Sequence, residues 1–124
     1  MTNLLSPPSA LVALNAYERM AGMWGLTVEE GAALLGISAR TSHRWFREQR
    51  PDQLRPDTLE RISHLIGIWE NLAAVFGQGE PATTWLKLSN SDFGGQPPLQ
   101  RMLHGNVQDL VFVRNYLDRA RQGW

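Results

Sequence analysis

A group of side chains suited to contacting nucleic acid lies between Ile37 and Arg50. This stretch holds four arginines and one acidic residue, which gives it a formal charge of +3. Guanidinium and imidazole groups can bind base edges in the major groove, while hydroxyl and guanidinium groups also bind phosphate. The residues expected to reach base edges are Arg40, His43 and Arg44. The residues expected to meet phosphate are Ser38, Thr41 and Arg47.

The residues before this group predict the first half of a helix-turn-helix, which would run from Leu26 to Gln49. Thr27 can cap a short helix, and Glu30, three residues further on, completes a capping box. Gly36 stands where the tight turn between the helices needs a residue that tolerates positive φ.

The second helix of the motif should begin after Ser38, whose hydroxyl can cap it, and continue from Ala39 to about Glu48. Trp45 would lie on its inner face, so the basic residues would face outward. The second helix of such a motif lies in the major groove, which makes DNA binding the first hypothesis. The alternative is a helical hairpin whose arginines are only solvated.

The composition limits the function classes that the chain can belong to. The charges of its 12 basic and 12 acidic residues cancel, so nucleic acid should be bound through the basic helix only. One copy should bind weakly, and recognition of two half-sites should need a dimer. At 43% hydrophobic, its 124 residues can bury the core of one domain or of two small ones. The absence of cysteine excludes disulfides and thiolate zinc sites. No apolar run is long enough for a membrane span and the N-terminus does not resemble a secretion signal, which favours a cytoplasmic protein.

A helix should precede the helix-turn-helix, from Ala10 to about Met23. Ser9 can cap this helix, and Gly25 breaks it. The apolar positions spaced for one face are Leu11, Leu14, Met20 and Met23.

One long helix should follow the motif, from about Asp57 to Phe76. Its apolar residues recur every three or four positions, at Leu59, Ile62, Ile66, Trp69, Ala73 and Phe76. Gly67 lies within this stripe and costs about 1 kcal/mol relative to alanine. The alternative is therefore two helices with a kink at Gly67.

Shorter helices should complete the chain. Pro81 should begin one that contains Trp85, and residues 89–98 should form a loop rich in turn formers. A short helix over 98–103 and a last helix over 106–122 follow. No segment alternates as a strand would, so the fold should be all-α, with an N-terminal helix-turn-helix domain joined by the long helix to a small C-terminal helical domain.

No arrangement of residues predicts catalysis. The three histidines, His43, His64 and His104, have no metal-ligand spacing to one another, and no HExxH motif is present. There is no cysteine nucleophile, and no serine lies in a G-x-S-x-G context. The chain is expected to be no enzyme and to need no metal or other cofactor.

The second half of the chain resembles a known family. The residues that carry the resemblance fall in a recognisable order: Leu72, Phe76 and Gly77, Ala82, Trp85 and Leu86, Asn90, Phe93, Gly95, Pro98 and Leu99, Leu103, Gly105, Val111 and Leu117. From about Ile68 to Gly123 the chain resembles the toxin-binding domain of the Xre/MbcA/ParS antitoxins, and its helix-turn-helix resembles their N-terminal domain. The loop departs from the family in beginning Ser89-Asn90 where Pro-Asn is frequent.

The resemblance implies an antitoxin of a type II toxin–antitoxin pair. Members of the family pair with RES-type toxins, which resemble ADP-ribosyl transferases and deplete NAD⁺. The antitoxin covers the active-site cleft of the toxin and represses the shared operon, and it is usually a dimer within a larger complex. We accordingly expect a DNA-binding domain over residues 1–66 and a toxin-binding and dimerisation domain over residues 67–124.

A set of residues in the second half is expected to bind the toxin. It comprises Asn90, Phe93, Arg119, Arg121, Gly123 and Trp124. Trp and Arg are frequent at interface hot spots, so we expect the end of the last helix to enter or cover the nucleotide cleft of the toxin. The alternatives are that Trp85 and Phe93 belong to the core and that the C-terminus is a frayed end.

A different function for the whole chain is a stand-alone dimeric helix-turn-helix regulator, or a partition-type DNA adaptor. Its C-terminal domain would then serve only to dimerise. The two hypotheses differ in one respect, because an antitoxin needs a small protein partner of near-equal abundance and a plain regulator does not.

Overall fold

The computed structural model describes residues 7–123, which form helices and turns with no strand among them. The helices are α1 Pro7–Trp24, α2 Val28–Leu35, α3 Ala39–His43, α4 Pro56–Phe76, α5 Glu80–Lys87, α6 Pro98–Met102 and α7 Val107–Arg121. A π-helical turn, Arg44–Glu48, continues α3, and a 3₁₀ turn, Ser91–Phe93, lies between α5 and α6. The predicted all-α fold is confirmed.

The described residues fall into two compact units, divided between Ser63 and His64. Each unit has an apolar core of its own. The core of the first unit includes Leu14, Tyr17, Met20, Leu34, Leu35 and Leu54. The core of the second unit includes Leu65, Ile68, Leu72, Leu86, Met102, Leu110, Val113 and Leu117. No helix within residues 7–123 is both long enough and apolar enough to cross a membrane.

Helix α1 begins earlier than the sequence predicts, at Pro7, so Ser9 occupies a helical position instead of the N-cap. Proline suits the first turn of a helix because its missing N–H would have no intrahelical partner there.

The predicted buried face of α1 was wrong at two of its four positions, since Leu11 is 46% and Met23 47% exposed. The residues that α1 does bury are Ala10, Leu14, Tyr17, Met20 and Trp24. The prediction failed because it followed the aliphatic residues and omitted the two aromatic ones, which lie three or four positions from their buried neighbours.

Helix α4 is continuous over the predicted range, so the prediction of one helix is confirmed and the kinked alternative is wrong. The predicted apolar stripe is displaced, because of its six members only Ile62 is buried and the others are half-buried. The buried stripe consists of Ile62, Leu65, Ile68 and Leu72. This helix is apolar over a wide arc, so the same spacing can be drawn along two adjacent stripes.

Gly67 has a packing role within α4. A Cβ built at this position would lie 2.6 Å from Cζ of Arg114, which shows that the arginine side chain covers the glycine. The same guanidinium group lies 3.3 Å from Nδ1 of His64. Glycine therefore allows α7 to approach α4 closely within the second unit.

Candidate functional site

Helix α2, the first helix of the helix-turn-helix, has the caps that its sequence predicts. Thr27 Oγ1 accepts a hydrogen bond from the Glu30 backbone at 3.0 Å, and Glu30 Oε1 accepts one from the Thr27 backbone at 2.9 Å. Gly36 ends α2 with φ of 70°, a conformation that favours glycine. Its missing Cβ also makes room for Arg61, whose Nη1 donates to the Leu34 carbonyl at 3.5 Å. The first helix is thus fixed at both ends.

The second helix begins where predicted but changes type midway. Ser38 Oγ accepts a hydrogen bond from the Thr41 backbone at 3.0 Å, so Ser38 is the N-cap of α3. The predicted range, from Ala39 to about Glu48, is helical throughout, but α-helical bonding stops at His43 and a π-helical turn completes the helix. The Gln49 backbone donates to the Arg44 carbonyl at 2.8 Å to close that turn. Residues 39–48 together are called the recognition helix below.

The outward face of the recognition helix carries the predicted basic residues, all of them exposed: Arg40, His43, Arg44 and Arg47. His43 Nδ1 lies 3.3 Å from Glu48 Oε2, so the acidic residue faces the histidine and not an arginine. This face can offer several guanidinium groups to the bases and phosphates of DNA.

The two hydroxyl residues at the start of this helix have partners within the protein. Besides its capping role, Ser38 donates from its hydroxyl to Thr41 Oγ1 at 3.0 Å. Ser38 and Thr41 lie at the N-terminal end of the recognition helix, which is the end that meets DNA in a helix-turn-helix. Ser38 is exposed and Thr41 is half-buried. The structure brings all six predicted DNA-contacting residues onto one short element.

The inner face of the recognition helix differs from the predicted one. Trp45 and Phe46 are both half-buried, whereas Ser42 is 6% exposed. Phe46 packs against Tyr17 with ring centroids 6.1 Å apart. The sequence contained a signal for this face, since Ser42 and Phe46 are four positions apart.

Tyr17 joins this inner face to α2. Its hydroxyl donates to the Gly31 carbonyl at 2.7 Å, and burial raises the pKa of the phenol well above its usual range. A Cβ at Gly31 would lie 3.3 Å from that hydroxyl, so glycine permits the close approach. The recognition helix therefore rests on a platform formed by α1 and α2.

In the second unit, Asn90 shapes the predicted loop. Its Oδ1 accepts from the Asp92 backbone at 2.9 Å, and its carbonyl accepts from the backbones of Phe93 and Gly95, each at 2.9 Å. Gly94 and Gly95 have φ of 71° and 87°, so the tight turn here depends on glycine. The side chain that was expected to meet a partner is used to hold the loop.

Phe93 lies in an aromatic cluster and is 4% exposed. Its ring centroid is 4.9 Å from that of Tyr116, 5.5 Å from that of Phe112 and 5.9 Å from that of Trp85. Trp85 in turn stacks on Tyr116 at 5.9 Å and lies 5.8 Å from Phe76. This cluster ties the loop to α4, α5 and α7, as the core alternative for Phe93 predicts.

The rim of the aromatic cluster is polar. The Tyr116 hydroxyl donates to Asp92 Oδ2 at 2.7 Å, and burial together with this bond raises the pKa of the phenol. Arg101 lies over the Phe112 ring at 4.0 Å and donates from Nε to Asp109 Oδ1 at 2.7 Å. Oδ2 of Asp109, a residue 7% exposed, has no hydrogen-bond partner among the described residues. No motif or spacing in the sequence predicted a role for Asp92, Arg101 or Asp109.

The end of α7 carries the remaining predicted toxin contacts. Arg119, Arg121 and Gly123 are exposed. Arg121 donates from Nη1 to Asn71 Oδ1 at 3.0 Å, and the amide nitrogen of Asn71 donates to Asp118 Oδ1 at 2.8 Å. Asn71 is 2% exposed, so a buried amide holds the end of the helix. Trp124 lies outside the described residues.

The described part of the chain offers little for metal chemistry, since it contains no group of three or more histidines, cysteines, aspartates and glutamates that could hold an ion.

Comparison with known proteins matches both halves of the chain to antitoxin domains. Residues 8–67 match the family described as the antitoxin Xre-like helix-turn-helix domain. Residues 71–123 match the family described as the antitoxin Xre/MbcA/ParS C-terminal toxin-binding domain. A relative from Sinorhizobium fredii (strain NBRC 101917 / NGR234), the uncharacterized protein y4oB, is 38% identical over 111 residues, which are 89% of this chain and 84% of the relative.

Proposed function

Since the chain belongs to the Xre/MbcA/ParS family of antitoxins, we propose that it neutralises a RES-type, NAD⁺-depleting toxin by covering the active site of that toxin. It also represses its own operon by binding operator DNA. It acts in the cytoplasm as a homodimer within a larger toxin–antitoxin complex, and it is not an enzyme and uses no cofactor.

The observation that carries this proposal is the succession of the two matched regions along one chain. A helix-turn-helix with an exposed basic recognition helix comes first, and a region matched to toxin-binding domains follows. A plain regulator would use the second region only to dimerise, whereas the family of that region is described as toxin-binding. We place the boundary between the two functions near residue 66.

Operator DNA is bound through the recognition helix. Arg40, His43 and Arg44 contact base edges, because all three are exposed on the recognition helix. Ser38, Thr41 and Arg47 contact phosphate. A dimer presents two such helices to two half-sites.

The toxin is bound through the end of α7 and the loop beside it. Arg119, Arg121, Gly123 and Trp124 supply direct contacts, because the first three are exposed and the fourth follows them. Asn90 and Phe93 contribute by holding the loop and the aromatic cluster in shape. Arginine side chains suit a cleft that binds a dinucleotide, since guanidinium groups pair with phosphate.

The proposal is tested by purifying the tagged chain from its native cell at its natural expression level and identifying the proteins that co-elute by mass spectrometry. A near-stoichiometric small protein whose overproduction lowers cellular NAD⁺ is the expected result. Elution of the chain alone, or with DNA only, would instead favour a self-dimerising regulator or a partition-type adaptor. A stoichiometric partner that leaves NAD⁺ unchanged would retain the antitoxin and reject the RES assignment.

The role of the C-terminus is tested by deleting Gly123 and Trp124. We expect weaker protection of cells against the toxin, with an unfolding midpoint equal to that of the full chain, because both residues follow the last helix. Trp124→Phe is the matched control and should protect cells nearly as well, since it keeps an aromatic group at the end. Full protection by the deleted chain would reject the contact.

A further inference from the structure

Arg50 follows the recognition helix and, by its place in the sequence, is one of the four arginines between Ile37 and Arg50. Its side chain, however, binds other groups of the first unit. Nη2 donates to Glu18 Oε1 at 2.6 Å and to Asn15 Oδ1 at 3.1 Å, and both partners lie on α1. Nη1 donates to the Trp45 carbonyl at 2.7 Å. The guanidinium carbon lies 4.8 Å from the centroid of the Phe46 ring.

We propose that Arg50 is a positioning residue that holds the recognition helix against α1, and that it sets the affinity for operator DNA without contacting DNA. This inference rests on the proposed DNA-binding function. It also reduces the basic group available to DNA from four arginines to the three that are exposed, Arg40, Arg44 and Arg47.

The end of the recognition helix explains why a clamp is needed there. The recognition helix ends in a π-helical turn, a form that is rare and is found mostly as single turns. The last carbonyls of a helix have no intrahelical partner. At this end Gln49 satisfies the Arg44 carbonyl through its backbone, and Arg50 satisfies the Trp45 carbonyl through its side chain.

Arginine is suited to this position for a geometric reason. Its planar group carries five donors in a fixed fork, so one side chain can bind a carbonyl on one side and a carboxylate and an amide on the other. Its face can rest on Phe46 at the same time. A lysine keeps the charge but cannot make this set of contacts in one plane.

The partial burial of the Arg50 side chain agrees with a structural role. The Arg50 side chain is 25% exposed, while the Arg55 side chain in the same unit is 87% exposed. Arg55 makes a 3.4 Å ion pair with Asp57 and lies outside the recognition helix. Arg55 therefore serves as the matched control for substitutions of Arg50.

The test compares variants in binding to two duplexes of equal length. One carries the sequence immediately upstream of the coding region, and the other is a scrambled version of it. Arg50→Lys should weaken binding to the first duplex by a few-fold to about tenfold, because the contacts that hold the recognition helix in place are partly exposed. Binding to the scrambled duplex and the dependence on salt should change little, because the charge is kept. Arg55→Lys should bind both duplexes as the unaltered chain does.

Glu18→Gln weakens the clamp from its other side, because the acceptor of the Arg50 hydrogen bond loses its negative charge. Removing a negative charge would by itself strengthen DNA binding, so weaker binding to the upstream duplex can come only from a displaced helix. We expect a loss of at least a few-fold. Circular dichroism must show that each variant is folded at the temperature of the binding assay. If an Arg50 variant is unfolded at that temperature, Glu18→Gln still tests the proposal.

Two results would overturn the proposal. One is binding of the upstream duplex by Arg50→Lys and Glu18→Gln with unaltered affinity. The other is a reduction of the salt slope by about one in Arg50→Ala together with tighter binding by Glu18→Gln, which would make Arg50 a phosphate contact.

A measurement without DNA separates failure of the clamp from failure of DNA binding. The Gln49 amide closes the π-helical turn, so its hydrogen exchange should be faster in Arg50→Lys than in the unaltered chain or in Arg55→Lys. If the unaltered chain binds neither duplex, the DNA-binding proposal fails while this exchange still decides whether Arg50 holds the turn. Unchanged exchange in Arg50→Lys would reject the clamp.

Discussion

The recognition helix of the first unit and the loop of the second unit hold their candidate contact residues in opposite ways. On the recognition helix, Arg40 and Arg44 are exposed, and the packing is done by other residues on the inner face. In the loop, Asn90 makes the hydrogen bonds that shape the turn, and Phe93 is 4% exposed. Binding and stability should therefore be separable at the exposed arginines of the recognition helix and coupled in the loop of the second unit.

The largest effect that this comparison predicts is that of Phe93→Ala. Removing a buried ring that contacts Tyr116, Phe112 and Trp85 should lower the free energy of unfolding by about 3–5 kcal/mol. The measurement is urea denaturation of the full chain followed by circular dichroism.

Arg119→Ala is the control for this substitution. Arg119 is exposed on α7, so its removal should change the free energy of unfolding by less than about 0.5 kcal/mol. If both variants unfold at the same urea concentration as the unaltered chain, Phe93 is not a core residue and the coupling in the second unit is wrong.

A smaller effect, confined to binding, is predicted for Arg44→Ala. If Arg44 contacts a guanine as proposed, the loss of its guanidinium group should weaken operator binding by about 1–3 kcal/mol. The free energy of unfolding should stay unchanged, because the side chain is exposed and no hydrogen bond or ion pair described above involves it. Titration of labelled operator DNA and urea denaturation measure the two quantities.

Arg55→Ala removes an equal charge from the same unit and should leave operator binding nearly unaltered, since Arg55 lies outside the recognition helix. Operator binding that is indifferent to both Arg40→Ala and Arg44→Ala would rule out this helix as the element that recognises the sequence. It would also remove the contrast between the two units.

The features that could be predicted from the sequence are those that depend on near neighbours. The roles of Thr27, Gly36 and Ser38 follow from spacings of a few residues, and all three have the predicted conformation or hydrogen bonds. The continuity of α4 across Gly67 was also predictable, because the apolar residues keep their period on both sides.

The features that escaped prediction depend on contacts between distant parts of the chain. Nothing local to Arg50 indicates that its group binds Glu18, which lies far away in sequence, so the π-helical turn and its clamp were not foreseen. In the second unit, the order of residues that revealed the family consists largely of residues that build the loop and the core. Such residues identify the fold, whereas the exposed residues that meet a partner leave a weaker pattern.

Ser38 joins the two kinds of role in one residue, and its substitution sharpens the comparison. Ser38→Ala should lower the free energy of unfolding by about 1 kcal/mol, because the Thr41 backbone loses its capping partner. Ser38→Asp keeps a capping acceptor and should retain the stability, yet it should weaken operator binding because its charge repels phosphate. The measurements are again urea denaturation and operator titration. If both variants bind operator DNA as tightly as the unaltered chain does, Ser38 acts only as a cap.

The smallest expected effect is that of Tyr116→Phe, which removes a hydroxyl from the rim of the aromatic cluster. The hydrogen bond to Asp92 is exposed, so its loss should cost only about 0.5–1 kcal/mol at neutral pH. The pKa of Tyr116 is raised in the folded chain, first by burial and then by the bond to Asp92. The stability linked to it is therefore present below the usual tyrosine pKa of about 10 and is lost as the pH rises above that value. Unfolding measured between pH 8 and about pH 11 should show a smaller alkaline loss of stability in Tyr116→Phe than in the unaltered chain.

Tyr17→Phe should remove more of that alkaline loss of stability, because Tyr17 is 2% exposed and donates to a buried carbonyl. An alkaline loss that depends on Tyr116 more than on Tyr17 would contradict the burial that distinguishes them.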